Sequence, residues 1–276
     1  MNVYAKVAAG AVLEPLRSRP DAPPERAITR SDVEVDRDHL AAYDRVCCFR
    51  LSDRLPATYP HVLAFPLAME LMASGDFPFG MLGLVHVANA IEQLRPLHAD
   101  EPLAFHIHAE HLADHPRGRT IDVVAEASVD GEVAWRDRST YLHREGKPSE
   151  RRDGTKVPGT FVPRSEWKVP GDVGRRYAAV SGDRNPIHLH GVPAKLLGQP
   201  GAIAHGMWTK ARCLAALEGM LPDAFTVAVE FKLPVVIPAK VTFGSWVEEG
   251  ERRFAVRDKR GEKPHLTGAV TPSVAA

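Results

Sequence analysis

The chain has 276 residues, of which 44% are hydrophobic, and its 35 Lys and Arg residues balance 35 Asp and Glu residues. This length and composition suffice for one large core or two smaller ones, so two domains of ordinary size are the first expectation. The balanced charge and the lack of a polybasic run argue against a nucleic-acid or membrane-surface partner, and favour a small molecule or another protein.

The N-terminal stretch, residues 1–20, has a brief apolar patch that is too short and too poorly flanked for a secretory signal. No run of 18 apolar residues follows. We therefore expect a cytoplasmic protein without membrane insertion. Cys47, Cys48 and Cys213 show neither a CxxC pair nor Cys/His ligand spacing, so they are expected to pack as small apolar residues.

The first half of the chain predicts a short helix, a long helix and three strands. DHLAAYDRV (38–46) is helical, and the apolar run GMLGLVHVANAIEQLRP (80–96) predicts the long helix. Strand-like patterns follow over 102–112, 119–129 and 132–144. Four histidines lie in the first of these strands and in the polar turn after it, and alternation on a strand plus a turn explains them better than a metal site; they are His106, His108, His111 and His115.

A charged segment rich in Gly and Pro, REGKPSERRDGTKVPGT (144–160), is typical of an exposed connection between domains. With the linker at 148–159, the halves are 1–147 and 160–276. The second half repeats the order of elements, and its predicted helices are 171–180 and 206–222. Its predicted strands are 226–237, 239–249 and 252–260.

The two halves align weakly with each other. An offset of 126 matches Gly80-Met81 with Gly206-Met207, and an upstream offset of 134 matches Tyr43 with Tyr177. The change of offset puts eight extra residues into the first half. Matching Gly and Pro positions indicate two copies of one α+β unit, in which an antiparallel sheet wraps around a long helix.

The segment YAAVSGDRNPIHLH (177–190) contains the chemistry. Asp183 and His188 flank a Gly/Asn/Pro turn that is expected to lead into a helix, where both side chains can converge on one point. Ser181 and Asn185 can hydrogen-bond this pair or the turn backbone. Gly206 opens the second long helix, whose unpaired backbone N–H groups can receive developing negative charge.

Together with AIAHGMWTKA (202–211), this segment resembles the MaoC-like dehydratases, also called hydratase 2 or (R)-specific enoyl-CoA hydratases. The matching positions of the catalytic motif are Tyr177, Ala178, Ser181, Gly182, Asp183, Asn185, Pro186, Ile187 and His188, and those of the later element are His205, Gly206 and Met207. The resemblance implies a double hot dog fold of the α+β class, as in the mycobacterial 3-hydroxyacyl-thioester dehydratases.

The resemblance also implies an activity, the interconversion of (3R)-hydroxyacyl and trans-2-enoyl thioesters in fatty-acid metabolism. Asp183 and His188 would be catalytic and hold one water, while the N–H of Gly206 would stabilise the oxyanion. Ser181, Asn185 and His205 are expected to bind substrate or support the pair; His205 is equally open to a catalytic and a structural role. The thioester carrier would be coenzyme A or an acyl carrier protein, and no cofactor or metal is expected.

The first half lacks the catalytic pair. Asp183 aligns with Ala57 at one offset and with Phe49 at the other, and His188 aligns with Val62. We therefore expect a single active site. Residues 60–85, rich in Phe, Leu and Met, would form the wall of a tunnel for acyl chains longer than four carbons.

Two other functions remain open. A hot dog acyl-thioesterase shares the fold, although the Asp, Asn-Pro, His order belongs to the hydratase branch. Degenerate hot dog chains can also be non-catalytic acyl-binding subunits.

Lys210 or Arg212 would be positioned for carrier phosphates. The halves are expected to pair as an internal pseudo-dimer, either monomeric or as a homodimer of such units.

Overall fold

The computed structural model describes residues 19–81, 83–145, 161–196 and 198–273. The predicted linker, 148–159, lies outside the described residues, as does the N-terminal stretch 1–18. No helix in the described part of the chain is long and apolar enough to cross a membrane.

Both halves have the same order of elements: a strand, two or more helices, then four strands. The first half contains β1 Ile28–Val33, α1 Arg37–Cys47, α2 Tyr59–Met72, β2 Leu84–Gln93, β3 Leu103–His115, β4 Gly118–Val129 and β5 Glu132–Arg144. The second contains β6 Pro163–Val169, α3 Val173–Ser181, α4 Pro186–Leu189, α5 Gly191–Leu196, α6 Gly206–Ala216, β7 Phe225–Phe231, β8 Ala239–Glu248, β9 Glu251–Asp258 and β10 Pro264–Pro272.

The described strands form one antiparallel sheet in the order β1-β3-β4-β5-β2-β7-β10-β9-β8-β6. The two halves join where β2 pairs with β7, with Ala90 opposite Ala228. Equivalent strands of the two halves follow one another in the same order on either side of this junction: β2, β5, β4, β3 and β1 on one side, and β7, β10, β9, β8 and β6 on the other. The resulting α+β architecture is the double hot dog that the resemblance implied.

The prediction of a helix over 80–96 is wrong. Residues Leu84–Gln93 form β2, which is hydrogen-bonded to β5 on one side and to β7 on the other. An apolar run bounded by Gly and Pro fits a buried central strand as well as a buried helix, and the Gly-Met match to the second half selected the wrong one. The long helix of the first half is α2, in which ten of 14 residues are buried.

The prediction of eight extra residues in the first half is also wrong, because the longer connection lies in the second half. Between α1 and α2 there are only residues 48–58, whereas residues 182–205 separate α3 from α6 and include α4 and α5. The second half therefore carries the insertion, and it is the segment that contains the Asp183 turn.

Other predictions are largely confirmed. Helices α1, α3 and α6 and strands β3, β4, β5, β8 and β9 lie where the patterns placed them, and the four histidines lie within β3. Cys47 and Cys213 are buried. Cys48 is exposed, contrary to expectation, because it ends α1 in a left-handed conformation with φ 65°.

Candidate active site

A short turn between α3 and α4 carries the predicted catalytic motif. Gly182 ends α3 with φ +74°, a conformation that disfavours a side chain, and its N–H bonds the carbonyl of Ala178. Pro186 begins α4, and the Asn185 side chain caps it by accepting from the Ile187 N–H at 3.3 Å. The local sequence thus fixes the abrupt change of direction that the motif predicted.

Two further hydrogen bonds orient Asp183 within this turn. The Ser181 hydroxyl oxygen accepts from the Asp183 N–H at 3.2 Å, and Asp183 Oδ1 accepts from the Asn185 N–H at 3.1 Å. Ser181 and Asn185 therefore bond the turn backbone, which was one of the two roles considered for them. The second carboxylate oxygen, Oδ2, faces two imidazole rings.

His188 presents a neutral imidazole to that carboxylate. Its Nδ1–H donates to the carbonyl of Ile203 at 2.8 Å, which leaves the lone pair of Nε2 directed at Asp183 Oδ2, 4.0 Å away. Burial lowers the pKa of His188, and the Asp183 charge only partly opposes this. A separation of 4.0 Å is too long for a direct hydrogen bond and suits a bridging water.

His205 holds the turn from the other side. Its Nε2–H donates to the backbone carbonyl of Asp183 at 3.0 Å, and its ring stacks on His188 with centroids 3.7 Å apart. Burial, reinforced by His188, lowers the pKa of His205 to about 3. Its Nδ1 is shielded from solvent and has no hydrogen-bond partner among the described residues. These contacts give His205 a role in positioning Asp183.

The start of α6 is adjacent to this group. His205 is the N-cap residue of α6 without a capping side-chain bond, and Gly206 is the first helical residue. A Cβ at Gly206 would lie 2.9 Å from the ring of Phe231, so only glycine leaves the helix start undisturbed. The positive end of the helix dipole thus begins one residue after His205, whose ring contacts Asp183 and His188.

The same three side chains offer ligand atoms to a cation. Single atoms of Asp183, His188 and His205 lie within 4.8 Å of one another, and carboxylate and imidazole are common ligands of zinc and iron. Coordination through His205 Nε2 would require that atom to release the Asp183 carbonyl. The expectation that the site works without a metal remains a prediction.

The first half supports the turn through residues that no sequence pattern indicated. His39 on α1 donates from Nε2 to the carbonyl of Val180 at 2.8 Å, and the Tyr59 hydroxyl donates to His39 Nδ1 at 2.9 Å. Phe65 on α2 lies 4.0 Å from the position that a Cβ at Gly182 would take. The contacts of His39 with Val180 and of Phe65 with Gly182 join residues more than 100 positions apart, so local sequence carries no signal for them.

A buried polar cluster lies between the halves. Lys210 on α6 donates from Nζ to the side chain of Asn89 and to the carbonyl of Val227 at 3.0 Å. Asn89 in turn donates to Asp137, which also accepts from His61. Lys210 is fully buried, so its suggested role in binding carrier phosphates is wrong.

Arg212, the other residue considered for carrier phosphates, stacks on the ring of Trp167, with its guanidinium carbon 4.4 Å from the ring centroid. No phosphate role follows from this contact.

A small cavity opens between α2 and the sheet of the first half. Its lining residues are His61, Ala64, Phe65, Ala68, Val123, Ala125, Asp137, Ser139 and Tyr141. The lining from α2 belongs to the segment 60–85 for which an acyl tunnel was predicted. Farther along the same segment, Phe77 and Phe79 are buried in the core.

Comparisons with known proteins agree with this architecture. Residues 155–269 match the family model described as MaoC like domain. The chain is 38% identical over 272 residues to 3-hydroxyacyl-thioester dehydratase X of Mycobacterium tuberculosis, covering 96% of this chain and 95% of that protein. The crystal structure of HtdX from that organism superposes with a TM-score of 0.80 at 36% identity, covering 90% of this chain and 100% of the other.

A more distant structural neighbour shows the fold alone. Rv0216 of Mycobacterium tuberculosis, described as a double hotdog fold, has a TM-score of 0.56 at 12% identity, with 90% of this chain and 96% of the other covered.

Proposed function

Because the chain belongs to the MaoC-like family, we propose that it interconverts (3R)-hydroxyacyl thioesters and trans-2-enoyl thioesters by reversible addition of water. The observation that carries this proposal is the neutral imidazole of His188, which faces Asp183 across 4.0 Å beside the start of α6. The similarity to a protein named 3-hydroxyacyl-thioester dehydratase supports the substrate class and a place in fatty-acid metabolism.

In the hydration direction, Asp183 Oδ2 and His188 Nε2 hold one water between them. His188 removes a proton from this water as its oxygen bonds to C3, and the C2–C3 π electrons move through C2 to the thioester oxygen. The protonated pair then delivers one proton to C2 from the same side, which restores the thioester carbonyl. One water is consumed, and dehydration follows the same steps in reverse.

The thioester oxygen becomes an enolate during this sequence and requires hydrogen-bond donors. The Gly206 N–H at the start of α6 is our proposed donor, aided by the helix dipole. Ser181 and Asn185 act indirectly by holding Asp183 in its turn, and His205 acts through the Asp183 carbonyl.

The first half binds the acyl chain in this proposal. Phe65 both lines the cavity beside α2 and lies close to Gly182 in the turn, which supports entry of the acyl chain at this point; the cavity measures about 10 Å³, so α2 and the sheet would have to separate to admit the chain. Acyl chains longer than four carbons would therefore be accepted, on coenzyme A or on an acyl carrier protein.

The test follows enoyl-thioester absorbance with crotonyl-CoA and dodecenoyl-CoA, and with the acyl-carrier-protein esters of the same acids. Asp183→Asn and His188→Ala are each expected to lower kcat by about 10²–10⁴-fold, the usual contribution of a positioned acid or base. His190→Ala, an exposed histidine two residues beyond His188, is the matched control and should retain activity.

Each other result has a distinct meaning. Release of free thiol without loss of the double bond would identify a thioesterase and contradict the proposal. Binding of the esters without turnover on either carrier would identify an acyl-binding subunit. Full activity in Asp183→Asn and His188→Ala would show that other groups carry the reaction.

A further inference from the structure

The surface around the catalytic turn carries a local excess of positive charge. Between residues 171 and 200 the only carboxylates are Asp172 and Asp183, whereas four cationic side chains are exposed: Arg175, Arg176, Arg184 and Lys195. The chain as a whole has equal numbers of cationic and acidic residues. The excess is therefore a property of this segment and not of the protein.

These four cations are not neutralised within the chain. None of them forms an ion pair with a carboxylate in the part of the chain that the structure describes, and Arg175 donates only to the carbonyl of Leu189, at 3.3 Å. The corresponding region of the first half differs, because three of its arginines are paired: Arg37 with Asp53, Arg50 with Glu218 and Arg54 with Asp223. The second half thus keeps its positive charge available to an external partner.

Exposed apolar side chains lie among these cations. Val192 and Leu196 on α5 are 72% and 83% exposed, the highest values of any large hydrophobic residue in the described ranges. They are four positions apart and share one face of the helix, while Ala194 between them is fully buried on the other. Lys195 adjoins them. Adjacent exposed apolar groups with a polar surround are typical of a contact surface.

This surface is attached directly to the reaction centre. A Cβ at Gly174 would lie 2.0 Å from the carbonyl oxygen of His188, so α3 and α4 are in close backbone contact. The Asp183 side chain is 25% exposed, against 10% for His188 and 3% for His205. Among these three groups, Asp183 is the one that a substrate from solvent meets first, and the exposed Arg184 follows it in the chain.

The shape and charge of this surface indicate what kind of partner fits it. A small ligand is held in a concave site that encloses most of it, whereas Val192 and Leu196 project from a helix into solvent. An apolar centre with a charged rim is the arrangement of a protein interface. A second copy of this chain in a two-fold contact would place these cations opposite the same cations, which is unfavourable. The complementary partner is an acidic protein.

We infer that this surface docks an acidic carrier protein, which delivers the acyl thioester to Asp183 and His188. The inference rests on the proposed function and selects one of its two carriers. We call the surface the carrier face and define it by six residues: Arg175, Arg176, Arg184, Val192, Lys195 and Leu196. Acidic side chains of the carrier pair with the four cations, and an apolar side chain of the carrier packs on α5.

The test compares crotonyl thioesters of an acyl carrier protein, of coenzyme A and of pantetheine, which has neither protein nor phosphate. In the Arg176→Glu, Lys195→Glu double variant, kcat/KM with the carrier-protein ester is expected to fall by about 10–100-fold, because two attractive charges become repulsive. With crotonyl-pantetheine it should change by less than about 3-fold. Raising the salt from about 50 to about 200 mM should slow the wild type with the carrier-protein ester and affect the double variant less.

Leu196→Ser separates a protein partner from the phosphates of coenzyme A. Loss of an apolar contact should lower kcat/KM with the carrier-protein ester by about 3–10-fold, while crotonyl-CoA should be hydrated as in the wild type. Arg30→Glu is the matched control for charge. Arg30 is exposed on β1, at the opposite edge of the sheet from β6, and its reversal should leave all three rates unchanged.

Three results would overturn the inference. Wild-type kcat/KM with the carrier-protein ester in the double variant would show that the carrier face is not used. An equal loss with all three thioesters would mean that the substitutions disturb the catalytic turn itself. A loss shared by coenzyme A, with Leu196→Ser fully active on the carrier-protein ester, would assign the cations to nucleotide phosphates. Continued hydration of crotonyl-pantetheine would confine each of these failures to this inference, whereas no hydration of any thioester would overturn the proposed function.

Discussion

Gly206→Ala adds one methyl group at the start of α6, and we expect it to slow the reaction with little loss of stability. The new Cβ would lie 2.9 Å from two ring carbons of Phe231 and 3.1 Å from a third. Ordinary carbon–carbon contacts are about 3.5–4.0 Å, so ring and helix must separate by roughly 0.6–1 Å. Phe231 is packed against His86 on its far side, so part of the displacement falls on the helix start.

The expected loss follows from that displacement. An error of about 1 Å in the placement of a reacting group costs on the order of 10²-fold in rate, or about 2.7 kcal/mol in the activation free energy. The stability of the fold should change less, since overpacking costs about 1–3 kcal/mol and the gain in helix propensity from Gly to Ala returns up to about 1 kcal/mol.

The assay measures kcat and KM for crotonyl-CoA together with the thermal unfolding midpoint. A second variant, Phe231→Leu, removes the ring that the new methyl group contacts, and it is measured alone and in combination with Gly206→Ala. We expect kcat of the Gly206→Ala, Phe231→Leu double variant to return to within about 5-fold of Phe231→Leu alone, because the two sites are in direct contact and their effects are not additive.

Two results would refute this reasoning. Wild-type kcat in Gly206→Ala would mean that the helix start tolerates the displacement or takes no part in catalysis. A double variant as slow as Gly206→Ala, beside an active Phe231→Leu, would mean that the ring contact is not the cause of the loss.

Three further outcomes follow from the buried ionisable groups. In a pH profile of kcat/KM, the acidic limb should lie below pH 6.5, because burial lowers the pKa of the His188 base; a limb at or above 6.5 would contradict this. The pKa of His205 is about 3 when folded, so its contribution to the free energy of unfolding is fully present above pH 6.5 and declines as pH falls toward 3, by about 2 kcal/mol at pH 5. Urea titrations of the wild type and of His205→Gln at pH 5 and 7.5 measure this contribution. Asp44 has a raised pKa that changes stability in the opposite sense, but it is present in both proteins and cancels in the comparison. If the pH dependence of unfolding were the same in His205→Gln, the assigned contribution of His205 would be disproved. Burial lowers the pKa of Lys210 to about 7, so below pH 7, where Lys210 is charged, Lys210→Met should lower the free energy of unfolding by about 3 kcal/mol because Asp137 loses a cationic neighbour. Asp137→Asn in the same chain should restore part of it; no loss in the single variant would show that the cluster contributes no net stability.

The catalytic turn could be predicted from sequence because everything that forms it is local. Gly182 supplies the left-handed residue, Asn185 the cap and Pro186 the first helical residue, all within five positions. Such short-range rules hold wherever the segment lies in the fold. The pair Asp183 and His188 was therefore identified together with its geometry.

The first half was predicted less well because its pattern was ambiguous. Helix α2 is a nearly continuous apolar run, and the segment around β2 is also rich in apolar residues, so hydrophobicity alone does not tell the strand from the helix. What decides β2 is its position between β5 and β7, where both edges of its backbone find hydrogen bonds. In the sequence, the residues of β7 that pair with β2 lie more than 130 positions from their partners.

The sequence by itself determined the conformation of the turn, most of the antiparallel strands after each helix and the proposed catalytic pair, Asp183 and His188. Only the tertiary structure decided what surrounds them: His39 beneath α3, Phe231 against Gly206, and the pairing of His61 with Asp137 across 76 positions. Hydrogen bonds within a turn depend on neighbouring residues, whereas contacts across the sheet depend on which strands the folded chain brings side by side. An isolated histidine in α2 and an isolated aspartate in β5 carry no mark of each other until the sheet wraps around the helix.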